Sequence, residues 1–90
     1  MTEDLSAEFE QAAADVMKLS KAPDNMTKLA LYALYKQGTK GDCEGKRPGM
    51  VDLVGRAKYD AWQERAGTSQ EDAMAQYIDL VRKLREADNG

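Results

Sequence analysis

The sequence contains no histidine, a single cysteine and only two prolines among its 90 residues. Without histidine it lacks the commonest general base and the commonest metal ligand, and one cysteine cannot form a disulfide within the chain. The longest apolar run, from Leu29 to Tyr35, is far shorter than the ~20 residues of a membrane-spanning helix. The acidic N-terminal segment has no signal-like apolar stretch. These absences predict a cytoplasmic protein without a metal site, a cofactor or stable membrane insertion.

The composition that remains is typical of a small globular protein. Hydrophobic residues make up 42% of the chain and charged residues 32%, which excludes a disordered or fibrous chain. A chain of this length fits one domain, so we predict a single domain over residues 1–90. No segment alternates apolar and polar residues as a strand would.

The charge is distributed unevenly along the chain. The formal net charge is −3, yet residues 18–58 hold nine basic residues and only four acidic ones, whereas residues 1–17 hold five acids and no base. A local basic segment in an acidic chain indicates a confined anion site, such as one for the phosphate of a small ligand. It does not indicate the broad positive face that duplex nucleic acid requires.

Apolar residues at helical spacing predict two amphipathic helices in the first half of the chain. We expect the first over residues 6–19 with Ser6 as its N-cap, and the second from Asp24 to about residue 38. Four glycines and one proline between Gly38 and Gly49 then predict one long loop. Within it an Arg-Pro-Gly turn is expected, in which Gly49 supplies a positive φ.

Two further helices are predicted in the second half. The third begins at an Asp52 cap and ends before Gly67, and the fourth opens at Thr68, which has capping-box spacing to Glu71. The residues expected to face inward are Leu53, Val54, Ala57, Ala61 and Trp62 in the third helix, and Ala73, Met74, Tyr77, Ile78, Val81 and Leu84 in the fourth. Four helices with one long loop between helices two and three predict an all-α four-helix bundle.

One face of the second helix combines aromatic and basic side chains. Tyr32, Tyr35 and Lys36 stand at i, i+3 and i+4, so they project from adjacent points of the helix. A phenol can stack on a purine or donate to a phosphate, and the ammonium adds a positive charge. The alternative is that the tyrosines line the edge of the core and Lys36 is solvated. Lys58 similarly fits a surface charge and Tyr77 a core residue.

A longer pattern is then recognisable. From Tyr32 the chain reads YALYKQGTKGDCEGKRPGMVDLVGRAKYDAW, followed by GTSQEDAMAQYI from Gly67, and it closely resembles the acyl-CoA-binding protein family. Matches to the family's first helix extend the resemblance over nearly the whole chain; they are Phe9, Ala12, Ala13 and Val16. The resemblance implies a monomeric four-helix bundle that binds, buffers and transports medium- and long-chain acyl-CoA esters in the cytoplasm without reacting with them.

The resemblance also implies roles for individual residues. Tyr32, Lys36 and Lys58 would hold the 3′-phosphate of CoA, while Tyr35 and Ala13 would lie against the adenine. The same groove would be lined by Tyr77, Met17 and the backbone of helix two around Ala33 and Leu34. No residue is assigned a catalytic role.

Three positions depart from the family pattern. Met17 stands where many members carry lysine, Tyr59 where tryptophan is usual, and Gly38 where alanine is usual. These departures predict a more apolar nucleotide contact at Met17 and altered affinity, with no core contact removed. A different hypothesis is a helical interaction module whose tyrosine face docks a partner protein. An enzyme acting on the thioester is disfavoured because the sequence shows no paired nucleophile and base.

Overall fold

The computed structural model describes residues 2–89, so Met1 and Gly90, the ends of the predicted domain, lie outside the described residues. Within that range there is no strand, which confirms the all-α prediction. The four helices are α1 (Thr2–Val16), α2 (Asn25–Lys40), α3 (Leu53–Gln63) and α4 (Gln70–Asn89). Helix α1 packs on α4, α4 packs on α2, and α2 packs on α3. No helix between residues 2 and 89 is long and apolar enough to span a membrane.

Two predicted helix starts are confirmed by their capping bonds. The Asp24 carboxylate accepts a hydrogen bond of 2.8 Å from the Thr27 amide at the start of α2. The Asp52 carboxylate accepts one of 2.9 Å from the Gly55 amide at the start of α3. A side chain at Gly55 would collide with the capping carboxylate, so glycine at this position lets the cap approach the backbone.

The predicted limits of the first helix are wrong at both ends. Helix α1 begins at Thr2, so Ser6 lies inside it and is not its cap. It ends at Val16, three residues early, because the next amides donate to carbonyls only three residues back, as in a tightened last turn. Beyond that turn, the backbone N–H and hydroxyl of Ser20 donate to the carboxylate of Asp88 at 3.2 and 2.6 Å. These bonds tie the α1–α2 connection to the end of α4.

The predicted cap of the fourth helix is also wrong, by one residue. The hydroxyl of Ser69, not of Thr68, accepts a hydrogen bond from the Asp72 amide at 3.0 Å. Both residues are good caps, and the backbone path selects the second. The apolar stripe predicted for α4 is confirmed, since Ala73, Tyr77 and Val81 are buried.

The core lies between α1, α2 and α4. Its buried residues are Phe9, Ala12, Leu31, Leu34, Ala73, Tyr77 and Val81. Helix α2 continues two residues beyond its predicted end and includes Gly38, which is buried. A Cβ at Gly38 would lie 3.2 Å from side-chain atoms of both Phe9 and Met74. The absence of a side chain there lets α1 and α4 approach this turn of α2.

Side-chain bonds from α3 hold the loop between α2 and α3. The guanidinium of Arg47 donates two hydrogen bonds to the carboxylate of Asp60, at 2.8 and 2.7 Å, and these bonds lower the pKa of Asp60. The Tyr59 hydroxyl donates to the Gly45 carbonyl at 3.0 Å. Gly45 has the positive φ of 91° that the turn requires, whereas the prediction of a positive φ at Gly49 is wrong.

Candidate functional site

Two lysines from different helices meet at one tyrosine. The Lys36 ammonium lies 5.8 Å from the centre of the Tyr32 ring, and the Lys58 ammonium lies 5.3 Å from it. Lys36 is also 5.5 Å from the centre of the Trp62 ring. All three distances fall within the range of cation–π attraction. We call Tyr32, Lys36 and Lys58 the cationic cluster; it presents two ammonium groups and a phenol to one region of the surface.

The packing of α2 against α3 creates this cluster. Tyr32 and Lys36 are one helical turn apart on α2, and Trp62 of α3 is buried beside them with its indole N–H donating to the Gly41 carbonyl at 2.8 Å. That bond fixes α3 against the end of α2. Lys58, one turn before Trp62, then reaches Tyr32 from the opposite side.

An aromatic trio adjoins the cluster on the α1 side of α2. Phe9 stacks on Tyr35 with ring centroids 5.3 Å apart, and it meets Tyr77 edge-on at 5.1 Å. Tyr77 is buried, and burial, with a smaller contribution from Tyr35, raises the pKa of its phenol. Tyr35 is 42% exposed. Its ring is supported by the core and partly open to solvent, which suits it to stack on a planar ligand.

The remaining residues implied by the resemblance lie in different environments. Ala13 is half-buried against the core, and Met17, one turn further on, is 84% exposed. Ala33 and Leu34 are buried in the packing around α2, so their side chains offer little surface to a ligand. The structure therefore groups Tyr32, Lys36 and Lys58 most closely.

An apolar groove of about 350 Å³ runs between the start of α2 and α3. Its lining residues are Asn25, Lys28, Leu29, Leu53, Val54, Ala57 and Lys58. Lys58 belongs both to this groove and to the cationic cluster. The site thus joins a cationic, aromatic surface to an apolar channel through one residue.

The groove corrects part of the predicted core. Leu53 is 73% exposed and Val54 is also exposed, so the prediction that both face inward is wrong. At 100° per residue, Leu53 stands nine residues before Trp62 and so lies on the opposite side of α3. Helical geometry therefore contains a signal for these groove residues, which apolar spacing alone misses.

A polar brace lies behind the site. The buried side-chain amide of Gln37 donates to the Asp42 carboxylate and the Thr68 carbonyl, both at 2.8 Å. Asp42 also accepts from the Gly67 amide at 3.0 Å. The bonds from Gly67 and Gln37 lower the pKa of Asp42. This network joins the end of α2 to the start of α4, and it keeps Lys36 on a rigid helix end.

The described residues contain no group of three or more metal-ligating side chains arranged to hold an ion. Cys43 is a free, half-buried thiol whose sulfur lies 3.9 Å from the Tyr59 carbonyl oxygen. Arg56, two residues from Lys58, acts elsewhere: its charge helps to lower the pKa of Asp60. This confirms that Arg56 and Lys58 point in different directions.

Comparison with known proteins agrees with this geometry. Residues 6–81 match the family model described as acyl-CoA-binding protein. The chain belongs to the acyl-CoA-binding protein family. It is 47% identical over 81 residues to an acyl-CoA-binding protein homolog of Manduca sexta, covering 89% of this chain and 90% of the relative. It is 49% identical over 76 residues to the acyl-CoA-binding protein of Dictyostelium discoideum, covering 84% and 90%.

Solved structures of the family share the fold. The crystal structure of Oryza sativa acyl-CoA-binding protein 2 superposes with a TM-score of 0.94 at 42% identity, covering 99% of this chain and 97% of that one. The solution structure of the yeast protein gives a TM-score of 0.71 at 43% identity, covering 88% and 92%. The predicted four-helix bundle of the acyl-CoA-binding type is confirmed.

Proposed function

We propose that this chain, acting as one domain over residues 1–90, is a monomeric cytoplasmic carrier that binds medium- and long-chain acyl-CoA without reacting with it. The observation that carries the proposal is the junction at Lys58, where the cationic cluster meets the apolar groove. Acyl-CoA has the matching chemistry, since a polyanionic nucleotide is joined to an apolar chain. Family membership supports the same ligand class.

The nucleotide end fits the cationic cluster and the aromatic trio. Two ammonium groups and the Tyr32 hydroxyl can form charge-assisted hydrogen bonds to the 3′-phosphate, and these are stronger than bonds between neutral groups. The partly exposed ring of Tyr35 offers the adenine a stacking surface, with Ala13 alongside. Tyr77, Met17 and the α2 backbone at Ala33 and Leu34 complete the proposed nucleotide contacts; Met17 contributes apolar surface without charge.

The acyl end fits the groove between α2 and α3. Burying a chain is favourable by about 0.8 kcal/mol per methylene, so ten buried methylenes contribute roughly 8 kcal/mol before the costs of binding. The groove is lined mainly by aliphatic side chains, among them Leu29, Leu53 and Ala57. Affinity should therefore rise with chain length, while the nucleotide sets the orientation.

A carrier role requires binding without chemistry. The proposed contacts are ammonium, phenol and aliphatic groups, and none of them pairs a nucleophile with a base. The thioester would thus be held and shielded from attack. A coupled assay for thiol released from palmitoyl-CoA tests this directly, and steady turnover would contradict the proposal.

The phosphate site is tested by removing each lysine. Lys36→Ala and Lys58→Ala should each weaken acyl-CoA binding by more than about tenfold, because each removes a charge-assisted bond. Lys40→Ala is the matched control, since Lys40 is an exposed lysine in the last turn of α2 outside the cluster. Calorimetric titration gives the affinities, and circular dichroism checks that each variant is folded. Unchanged affinity in both cluster variants would refute the assigned phosphate site.

A further inference from the structure

The exposed apolar side chains of the described residues are concentrated at the start of α3. Seven large hydrophobic residues are exposed in this part of the chain, and four of them lie within residues 50–54. Met50 is 81% exposed and Val51 is 99% exposed, both in the turn that precedes the helix. Exposed apolar residues scattered singly need no explanation, but a contiguous group marks an interaction surface.

The acyl chain does not account for all of this surface. Leu53 and Val54 line the groove between α2 and α3, so a bound acyl chain would cover them. Met50 and Val51 do not line that groove. We call these two residues the apolar tip. The tip stays exposed when the groove is filled, and it therefore requires a different occupant.

The charges near the tip identify the kind of partner. Residues 45–58 contain four basic residues and one acid, although the whole chain is acidic. The acid, Asp52, is engaged as the α3 cap. Lys28 and Lys58 line the groove beside the exposed Leu53 and Val54. Apolar side chains surrounded by cations match an anionic lipid surface, where the side chains enter the interface and the lysines meet the headgroups.

A second copy of the chain fits this surface less well. In a symmetric dimer the same patch would face itself, and each lysine would approach its own equivalent. Like charges brought together at an interface are unfavourable. A bilayer surface supplies opposite charge and has no such conflict.

We propose that the apolar tip inserts reversibly into the surface of an anionic bilayer, with Lys28 and Lys58 against the lipid headgroups. The mouth of the groove then faces the membrane, and the acyl chain of an acyl-CoA can pass between bilayer and groove with little exposure to water. This inference rests on the proposed carrier function. It describes a peripheral, reversible contact, because two side chains give only marginal anchoring.

Vesicle flotation of the full, ligand-free chain tests the proposal. The vesicles contain phosphatidylcholine with about one third phosphatidylserine, or phosphatidylcholine alone. We expect the chain to float with the anionic vesicles, and the bound fraction to fall as salt rises from about 0.1 M to about 0.5 M. The double variant Met50→Ser with Val51→Ser should bind at least about tenfold more weakly, because it removes the inserted apolar surface. Equal binding to both vesicle types would overturn the proposal.

A matched control separates the tip from general exposure. Met17→Ser changes an equally exposed methionine at the end of α1, which packs on α4 and not on α3. It should float with anionic vesicles like the unchanged chain. If the tip variant floats as well as the unchanged chain, the proposal is wrong. A dimer in sedimentation equilibrium that the tip variant abolishes would also overturn it, because the patch would then be covered by a second copy.

A titration without vesicles distinguishes this proposal from the carrier function. Octanoyl-CoA should bind the unchanged chain and the tip variant with the same affinity, because Met50 and Val51 lie outside the groove lining. Absence of octanoyl-CoA and palmitoyl-CoA binding in both proteins would contradict the carrier function itself. Normal binding with unchanged flotation of the tip variant would refute only the membrane contact.

Discussion

The groove residue Leu53 offers the most discriminating substitution for the acyl site. Its side chain is 73% exposed in the free protein, so Leu53→Ser should change the free energy of unfolding by no more than about 0.5 kcal/mol. A bound acyl chain would cover that exposed surface. Full burial of a leucine is worth about 1.5–3 kcal/mol, and roughly three quarters of it gives about 1–2 kcal/mol. The substitution should therefore weaken palmitoyl-CoA binding by about 5- to 30-fold.

The loss should depend on the length of the chain. Octanoyl-CoA, which fills less of the groove, should lose less affinity, and free CoA should lose none. Calorimetric titration with the three ligands measures this series. The control is Val51→Ser, which alters an even more exposed aliphatic residue outside the groove lining and should leave all three affinities unchanged. If Leu53→Ser binds palmitoyl-CoA like the unchanged chain, the groove is not the acyl site.

Two further predictions concern stability. Phe9 is buried and contacts both tyrosines of the aromatic trio, so Phe9→Ala should lower the free energy of unfolding by about 3–5 kcal/mol in urea denaturation; a loss below about 1 kcal/mol would contradict this packing. Hydrogen bonds from Gly67 and Gln37 lower the pKa of Asp42 from its ordinary value of 3.8. Its stabilising effect is present above that value and is lost as the pH falls through the lower folded pKa. Asp42→Asn should therefore be less stable than the unchanged chain at neutral pH, and the difference should narrow below about pH 4; a constant difference would count against the carboxylate's role.

The parts of the fold that sequence predicts well are those decided by local chemistry. The apolar stripe of α4 follows from helical spacing alone, and the caps at Asp24 and Asp52 follow from side chains placed immediately before apolar runs. The cap of α4 was displaced by one residue because Thr68 and Ser69 have the same capping chemistry. Which of two adjacent caps is used depends on the backbone path of the preceding turn.

The features that sequence spacing does not supply depend on how helices pack. The meeting of Lys58 with Tyr32 requires α3 to lie against α2 at a particular height, and spacing within either helix cannot give it. The same is true of Gly38, whose missing side chain matters only because Phe9 and Met74 approach it from other helices. The exposure of Leu53 follows from the same cause, because α3 packs on α2 through one side only. The family resemblance supplied site residues that spacing could not.

The most direct test of the central claim is a calorimetric titration of the chain with palmitoyl-CoA, with free CoA and palmitate titrated separately. The account predicts one-to-one binding of the ester that is much tighter than binding of either fragment, because the cationic cluster and the apolar groove meet at Lys58 and act on one molecule. Palmitate binding as tightly as the ester, or no binding of the ester by the folded protein, would contradict it.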